Sequence, residues 1–177
     1  MITMKKGFSA LLLLMLLTFA NSASAQTMRT LSLSQGDTLA PAFPVVDSAG
    51  TTTYFGGFVL GRVAGTTPGT FSFSLTFRDT GLIDPVAGVY GGFILSPNST
   101  FAVTEVSGRK SISTSGMIDA GTVTYRLTPD GRAEIVSIVS GNLTIWEGKN
   151  KRRTAVGYGT LEYGMASEGT GTMVLYF

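Results

Sequence analysis

The stretch 70–77, Thr-Phe-Ser-Phe-Ser-Leu-Thr-Phe, constrains the fold more than any other part of the chain. Phe71, Phe73, Leu75 and Phe77 alternate with Ser72, Ser74 and Thr76 without a break. Successive side chains of a strand point to opposite faces, so a period of two makes one oily face and one hydroxyl face. A helix would scatter the same oily set around its axis. The segment is therefore expected to be a strand with one side buried.

The same signal recurs along the chain. Val123, Tyr125 and Leu127 alternate with Thr122, Thr124 and Arg126. Pro129-Asp130-Gly131 follows, and this is turn chemistry: Pro presets φ, Asp bonds its neighbours and Gly accepts positive φ. A returning strand then makes 121–140 a β-hairpin. Further strands are expected at 52–63, 86–95, 100–106, 111–118, 143–146, 154–163 and 170–177, with turns at 66–69, 79–85, 96–99 and 107–110. Gly56-Gly57 and Gly91-Gly92 fall inside such runs and mark bends. Residues 26–50, broken by Gly36, Pro41, Pro44 and Gly50, read as an irregular N-terminal segment. No helical stripe is present. The expected fold is all-β: an antiparallel barrel of about eight strands over 51–177 as a single domain, with a β-sandwich as the alternative.

Residues 1–25 read as a removable leader. Lys5 and Lys6 precede the mostly apolar run 8–20, and Ala23-Ser24-Ala25 supplies small residues ahead of a cleavage point before Gln26. That order of parts is a secretory signal peptide. The apolar run falls short of the roughly 20 residues a membrane helix needs. The expected destination is secreted or periplasmic. Cleavage also changes the charge. All 11 Asp and Glu lie after residue 25, while two of the 13 Lys and Arg are in the leader, so the remainder is neutral overall. Nucleic-acid binding, which needs a basic excess, is not expected.

The residue inventory excludes several chemistries. The chain has no Cys and no His. Disulfides, a Cys nucleophile and a Ser-His-Asp arrangement are ruled out, and most zinc and copper sites lose their commonest ligands. No Asp-rich calcium loop or phosphate-cradling Gly loop before a helix is present, so no cofactor or metal is expected.

The C-terminal third carries a family resemblance. Leu143 and Ile145 form an apolar strand, Gly148 a turn, and Ala155-Val156-Gly157 a step into the next strand, with Gly159 and Gly169 to Gly171 continuing the rhythm. This text resembles the last strands of allene oxide cyclase-like and dirigent-like (calycin-type) β-barrels. The resemblance implies an eight-stranded antiparallel barrel with an apolar interior able to hold a small ligand. The Trp-Glu-Gly-Lys-Asn-Lys-Arg-Arg run stands where that group often has a double Gly followed by Thr-Gly and an aromatic residue, so no site residue is carried over.

Lys149, Lys151, Arg152 and Arg153 form the densest run of positive charge. They read either as a solvated hairpin loop that discourages edge pairing or as a contact for an anionic surface. Glu105, Asp119, Glu134, Glu147, Glu162 and Glu168 are scattered, with no pair on one strand face to suggest glycoside hydrolysis. Phe71, Phe73, Phe77, Tyr90, Phe93, Phe101, Tyr125, Trp146, Tyr158 and Tyr163 fill a core or line a ligand cavity. Met173, Leu175 and Phe177 alternate at the end of the chain, as in the closing strand of an outer-membrane barrel. Many runs, however, are shorter than the roughly 9 to 11 residues such strands need. The leading expectation is a non-catalytic binding or structural module, with a small apolar ligand or an anionic surface as partner. A small outer-membrane barrel and a cavity-type cyclase are the alternatives.

Overall fold

The computed structural model describes residues 26–65, 67–147, 154–164 and 169–177. The expected leader 1–25, the basic run Lys149, Lys151, Arg152 and Arg153, and Glu168 lie outside them. Among the described residues there are ten strands and no helix. The strands are β1 (Met28–Ala40), β2 (Phe43–Val46), β3 (Thr52–Ala64), β4 (Gly69–Asp84), β5 (Val89–Ile94), β6 (Thr100–Ser107), β7 (Lys110–Leu127), β8 (Ala133–Glu147), β9 (Thr154–Gly164) and β10 (Thr170–Tyr176).

All ten belong to one antiparallel sheet in the order β2-β3-β1-β10-β9-β8-β7-β5-β4-β6. An additional pairing of β3 with β4 closes that sheet on itself as a ring of eight strands. A barrel and a flattened sandwich share this bonding pattern. Two stations of the ring are each served by two strands in succession. β5 and β6 lie in succession between β4 and β7. β1 and β2 lie in succession along β3.

The alternation that began the sequence reading sets the inside. Phe71, Phe73, Leu75 and Phe77 of β4 are all at most 1% exposed, and they join one cluster with Val59, Ile118, Tyr125, Ile135, Leu161 and Leu175 from strands around the ring. Ser72 and Ser74 face the other way. Burial of the oily side, at roughly 25 cal/mol per Å², is the main stabilising term for a sheet without disulfides. Phe71 and Tyr163 need glycine opposite them. A Cβ on Gly36 would lie 2.0 Å from the Tyr163 hydroxyl, and one on Gly61 would lie 2.4 Å from the Phe71 ring.

Three expectations are corrected. Residues 26–50 are not irregular over most of their length: β1 alternates Leu31 and Leu33 inward and pairs with both β10 and β3. Its polar run Ser34-Gln35-Gly36-Asp37 hid it, because strand formation there comes from two flanking partners rather than intrinsic preference. The break that Gly36 suggested is a bulge, with a register shift between Ser34 and Asp37 and Gln35 at φ 51. The turn expected at 79–85 lies later. Gly81, at φ 97, lets β4 continue through a register shift, and Asp84 accepts the Val86 and Ala87 N–H groups at 3.0 Å to form the actual turn. Finally, 111–118 and the first half of the 121–140 hairpin are one strand, β7, and the hairpin's return continues through 143–146 as β8. Bulges near Ala120 absorb the interruption in the pattern.

The gap between β5 and β6 is bridged at Thr76, whose carbonyl accepts the Leu95 N–H at 2.8 Å. Ser99 Oγ accepts the Thr76 N–H at 2.9 Å and donates to the Thr76 carbonyl at 3.0 Å. It thereby replaces the missing strand partner, and Ser99 is fully buried.

Candidate functional site

The two ends of the ring differ in chemistry. β1, β4, β7 and β9 start at one end, where β3, β6, β8 and β10 finish. Here β6 alternates Phe101, Val103 and Glu105 inward, which places a carboxylate in an oily register. Glu105 is 3% exposed and is the one fully buried charged residue among those described. Arg29, on β1, meets it across the mouth with Nη2 2.6 Å from Oε1. β3 and β4 lie between the two strands, so the pair spans the opening rather than lying along one ladder. Breaking such a pair from one side leaves a buried charge without its partner, which is far more costly than never having had the pair.

Arg29 borders two clefts. One, of about 300 Å³, lies toward β3 and is lined by Thr30, Ser32, Val63, Thr67 and Glu105 among others. The other, of about 430 Å³, lies toward β7, β8 and β9. Ile112, Ile145, Val156 and Phe177 give it apolar walls, and Arg29, Ser113, Thr114, Trp146 and Glu147 complete them. Trp146 is the only tryptophan in the chain. Its Nε1 is buried and has no hydrogen-bond partner. A third cleft, of about 470 Å³, lies on the outer face over the β1 bulge, with Asp37, Arg62 and Thr70 on its walls. No buried polar group without a partner accompanies it.

At the opposite end the polar groups are closed off. The Tyr125 hydroxyl donates to Asp79 Oδ1 at 2.6 Å, and the Gly81 N–H donates to the same oxygen at 2.8 Å. Tyr54 stacks on Phe77 at 5.3 Å between centroids, and Tyr90 stacks on Tyr125 at 5.5 Å. Burial pushes the Tyr125 phenol well above its ordinary range, and its bond to Asp79 adds to the effect. Tyr54 is raised as well, chiefly by burial. The Tyr125 phenol is held as a neutral donor and serves to satisfy the Asp79 carboxylate. Midway, the Tyr163 phenol is pushed up to about 12, first by burial and then by the charge of Asp37.

The scattered acids remain scattered. Asp119 accepts a hydrogen bond from the Thr144 hydroxyl, and Glu134, Glu147 and Glu162 are exposed. Glu105 borders one mouth cleft and Glu147 the other, so no two of those acids share a cleft. The basic run Lys149, Lys151, Arg152 and Arg153 lies outside the described residues. Its described neighbours, Glu147 and Thr154, pair with each other at the Arg29 end. Sequence reasoning missed the Arg29–Glu105 pair. The available signal was the charge at an inward position of Thr-Phe-Ala-Val-Thr-Glu-Val. The aromatics split by role. Phe71, Phe73, Phe77, Phe101, Tyr125 and Tyr163 are buried in the core, while Phe93 and Tyr158 are exposed.

The fold and the mouth together define a closed antiparallel β-ring with an oily centre and one open, polar-trimmed end. No family model matches the chain, and comparisons with curated proteins and with solved structures return no match.

Proposed function

We propose that the chain is an exported, non-catalytic binding module that takes a small, largely apolar molecule into the cleft between β7, β8 and β9. One observation carries this reading: a cleft of about 430 Å³ is walled mainly by Ile112, Ile145, Val156 and Phe177 and takes in the only Trp of the chain. Small-molecule sites occupy about 300–1,000 Å³, are mostly apolar, and carry a few polar groups that fix orientation. The leader at 1–25 supports export.

The direction of the oily stripe favours a water-facing ring over an outer-membrane barrel. A membrane barrel turns its apolar residues outward to lipid. Here Phe71, Phe73, Leu75 and Phe77 point inward, and Ser72, Ser74 and Ser115 line the outside. A cavity-type cyclase needs interior space, and the described inward aromatics pack against one another there.

The test uses Trp146 as its own reporter. The neutral dye N-phenylnaphthylamine, added to the exported chain, is expected to quench indole emission and to fluoresce by energy transfer. Ile112→Asp, at a half-exposed wall position, is expected to weaken that signal about tenfold by placing a charge against the apolar body. Dye binding that leaves Trp146 emission unchanged would remove the cleft from consideration.

A further inference from the structure

We infer that the Arg29 end of the ring is a docking face for an anionic lipid surface, met end-on through a rim of exposed apolar and aromatic side chains. This goes beyond the cleft reading and does not depend on it.

Alternation on the outer face carries the argument. On β10 Met173 and Leu175 point inward, so Val174 and Tyr176 point outward. On β9 Leu161 and Tyr163 point inward, so Tyr158 and Thr160 point outward. The ladder aligns Thr144, Tyr158, Tyr176 and Met28 as one row across β8, β9, β10 and β1. The Tyr158 and Tyr176 rings stack at 4.9 Å, and both Tyr158 and Met28 are more than half exposed. Val156 and Phe177 add exposed apolar surface toward the strand ends, and Val106 continues it on β6. The rows further along the strands turn polar. Asn142, Thr160 and Thr30 share the next one with Val174, and Glu162, Thr172 and Ser32 follow. A belt this shallow, with hydroxyl rows behind it, does not span a bilayer. It suits burial at headgroup depth, where a side chain with an apolar body and a polar tip is favoured.

Charge selects the surface and the end that meets it. The far end also exposes apolar side chains, among them Phe43, Val46, Ile83 and Val86. Its turns, however, carry Asp47, Asp84 and Asp130 against Arg132, and Arg132 is already bonded to Asp130. At the near end the turn between β6 and β7 carries Arg109, with Lys110 beside it opening β7. Both are exposed, and neither has an ion-pair partner among the described residues. Glu105 is taken up by Arg29, which leaves the exposed Glu147 as the rim acid set against them. An anionic leaflet therefore attracts the near end and repels the far turns. Each Lys or Arg close to such a leaflet is worth about fivefold in binding, and burial of the apolar belt adds to it.

Co-flotation of the exported chain with vesicles tests the docking face. Vesicles of phosphatidylcholine with phosphatidylglycerol are expected to bind at least about tenfold more tightly than phosphatidylcholine alone, and added salt is expected to release the chain. Arg109→Gln/Lys110→Gln is expected to weaken binding to the anionic vesicles about tenfold to thirtyfold and to leave the neutral ones unchanged. Tyr158→Gln is expected to weaken both by about threefold to tenfold, because it removes an exposed apolar body. Val86→Gln, at the far end, is expected to change neither. Failure to float with the anionic vesicles, equal affinity for the two compositions, or wild-type binding by the Arg109→Gln/Lys110→Gln chain would overturn the proposal. So would a loss from Val86→Gln as large as that from Tyr158→Gln, which would mark indiscriminate apolar adhesion. Self-association in place of vesicle binding, reversed by Tyr158→Gln, would assign the rim to a second copy and overturn the lipid surface. The dye measurements above use no vesicles, so the cleft reading stands or falls separately.

Discussion

The two ends of the ring bury similar chemistry and treat it differently. At the far end Asp79 receives the Tyr125 hydroxyl and the Gly81 N–H, and Tyr54, Phe77 and Tyr90 pack around the donor ring. At the near end Glu105 receives Arg29, clefts open on either side, and a tryptophan N–H lacks a partner. A polar network whose carboxylate is satisfied from two sides adds rigidity. A network bordered by space, with one donor unpaired, retains capacity to bind. The contrast separates a structural plug from a candidate mouth although both contain a carboxylate and aromatic rings.

The largest effect that tests this contrast falls at the sealed end. Phe77 is fully buried and packs on Tyr54 and Tyr125. Phe77→Ala is expected to lower unfolding free energy by about 3–5 kcal/mol, the cost of a buried aromatic and the cavity left behind. Denaturant unfolding measures it. A loss under about 1 kcal/mol would mean that the far end is loose, and the plug reading would fail.

At the mouth, Glu105→Ala leaves Arg29 without its carboxylate. Full burial of both partners would cost about 3–5 kcal/mol. Arg29 is partly solvated, so about 2–3 kcal/mol is expected. Glu105→Ala combined with Arg29→Met should recover most of that loss in the same unfolding assay. Absence of recovery would show that Glu105 acts through contacts other than the ion pair.

Between the two ends, Tyr163 gives a pH dependence. Its phenol ionises at about 12 in the fold, whereas an unfolded tyrosine ionises near 10. Between those values the folded chain keeps a proton that the unfolded chain has released. The stabilising contribution is therefore complete below about pH 10 and is lost as pH rises through about 12. Tyr125 and Tyr54 shift in the same direction and steepen the decline. Tyr163→Phe should flatten it by up to one proton, about 1.4 kcal/mol per pH unit. Denaturant unfolding across that range is the measurement, and an unchanged slope would place the Tyr163 hydroxyl in water.

These contrasts show which physics a sequence displays. The inward set of β4 and the β7–β8 hairpin were legible because alternation and turn chemistry are local. β1 was not, since Ser, Gly and Gln become a strand there only between β3 and β10. The β5–β6 station was half legible: its turn was expected, but the buried Ser99 that stands in for a strand was not. The Arg29–Glu105 pair joins two strands far apart in the chain, and no spacing rule finds such a contact. Glu105 at an inward position was its visible half. The run from Lys149 to Arg153 drew attention by its charge, while the donor without a partner belongs to Trp146, just before it.

The smallest expected effect is the sharpest comparison, because it sets one aromatic polar group against another. Tyr125→Phe removes a hydroxyl whose bond to Asp79 is made, and a loss of about 1–2 kcal/mol is expected, since the carboxylate then keeps the Gly81 N–H but loses its side-chain donor. Trp146→Phe removes an N–H that has no bond to lose. Leaving such a donor buried costs about 1–3 kcal/mol, and the smaller ring gives up part of its apolar contact, so the two terms nearly cancel. The expected change is within about 1 kcal/mol of zero, or a shift of roughly 2–4 °C in thermal midpoint in either direction. A loss from Tyr125→Phe with little change from Trp146→Phe in thermal unfolding would fit one end built for stability and one holding a donor in reserve. A loss from Trp146→Phe as large as that from Tyr125→Phe would show that the indole N–H is already engaged in solution, and the mouth would then be as closed as the plug.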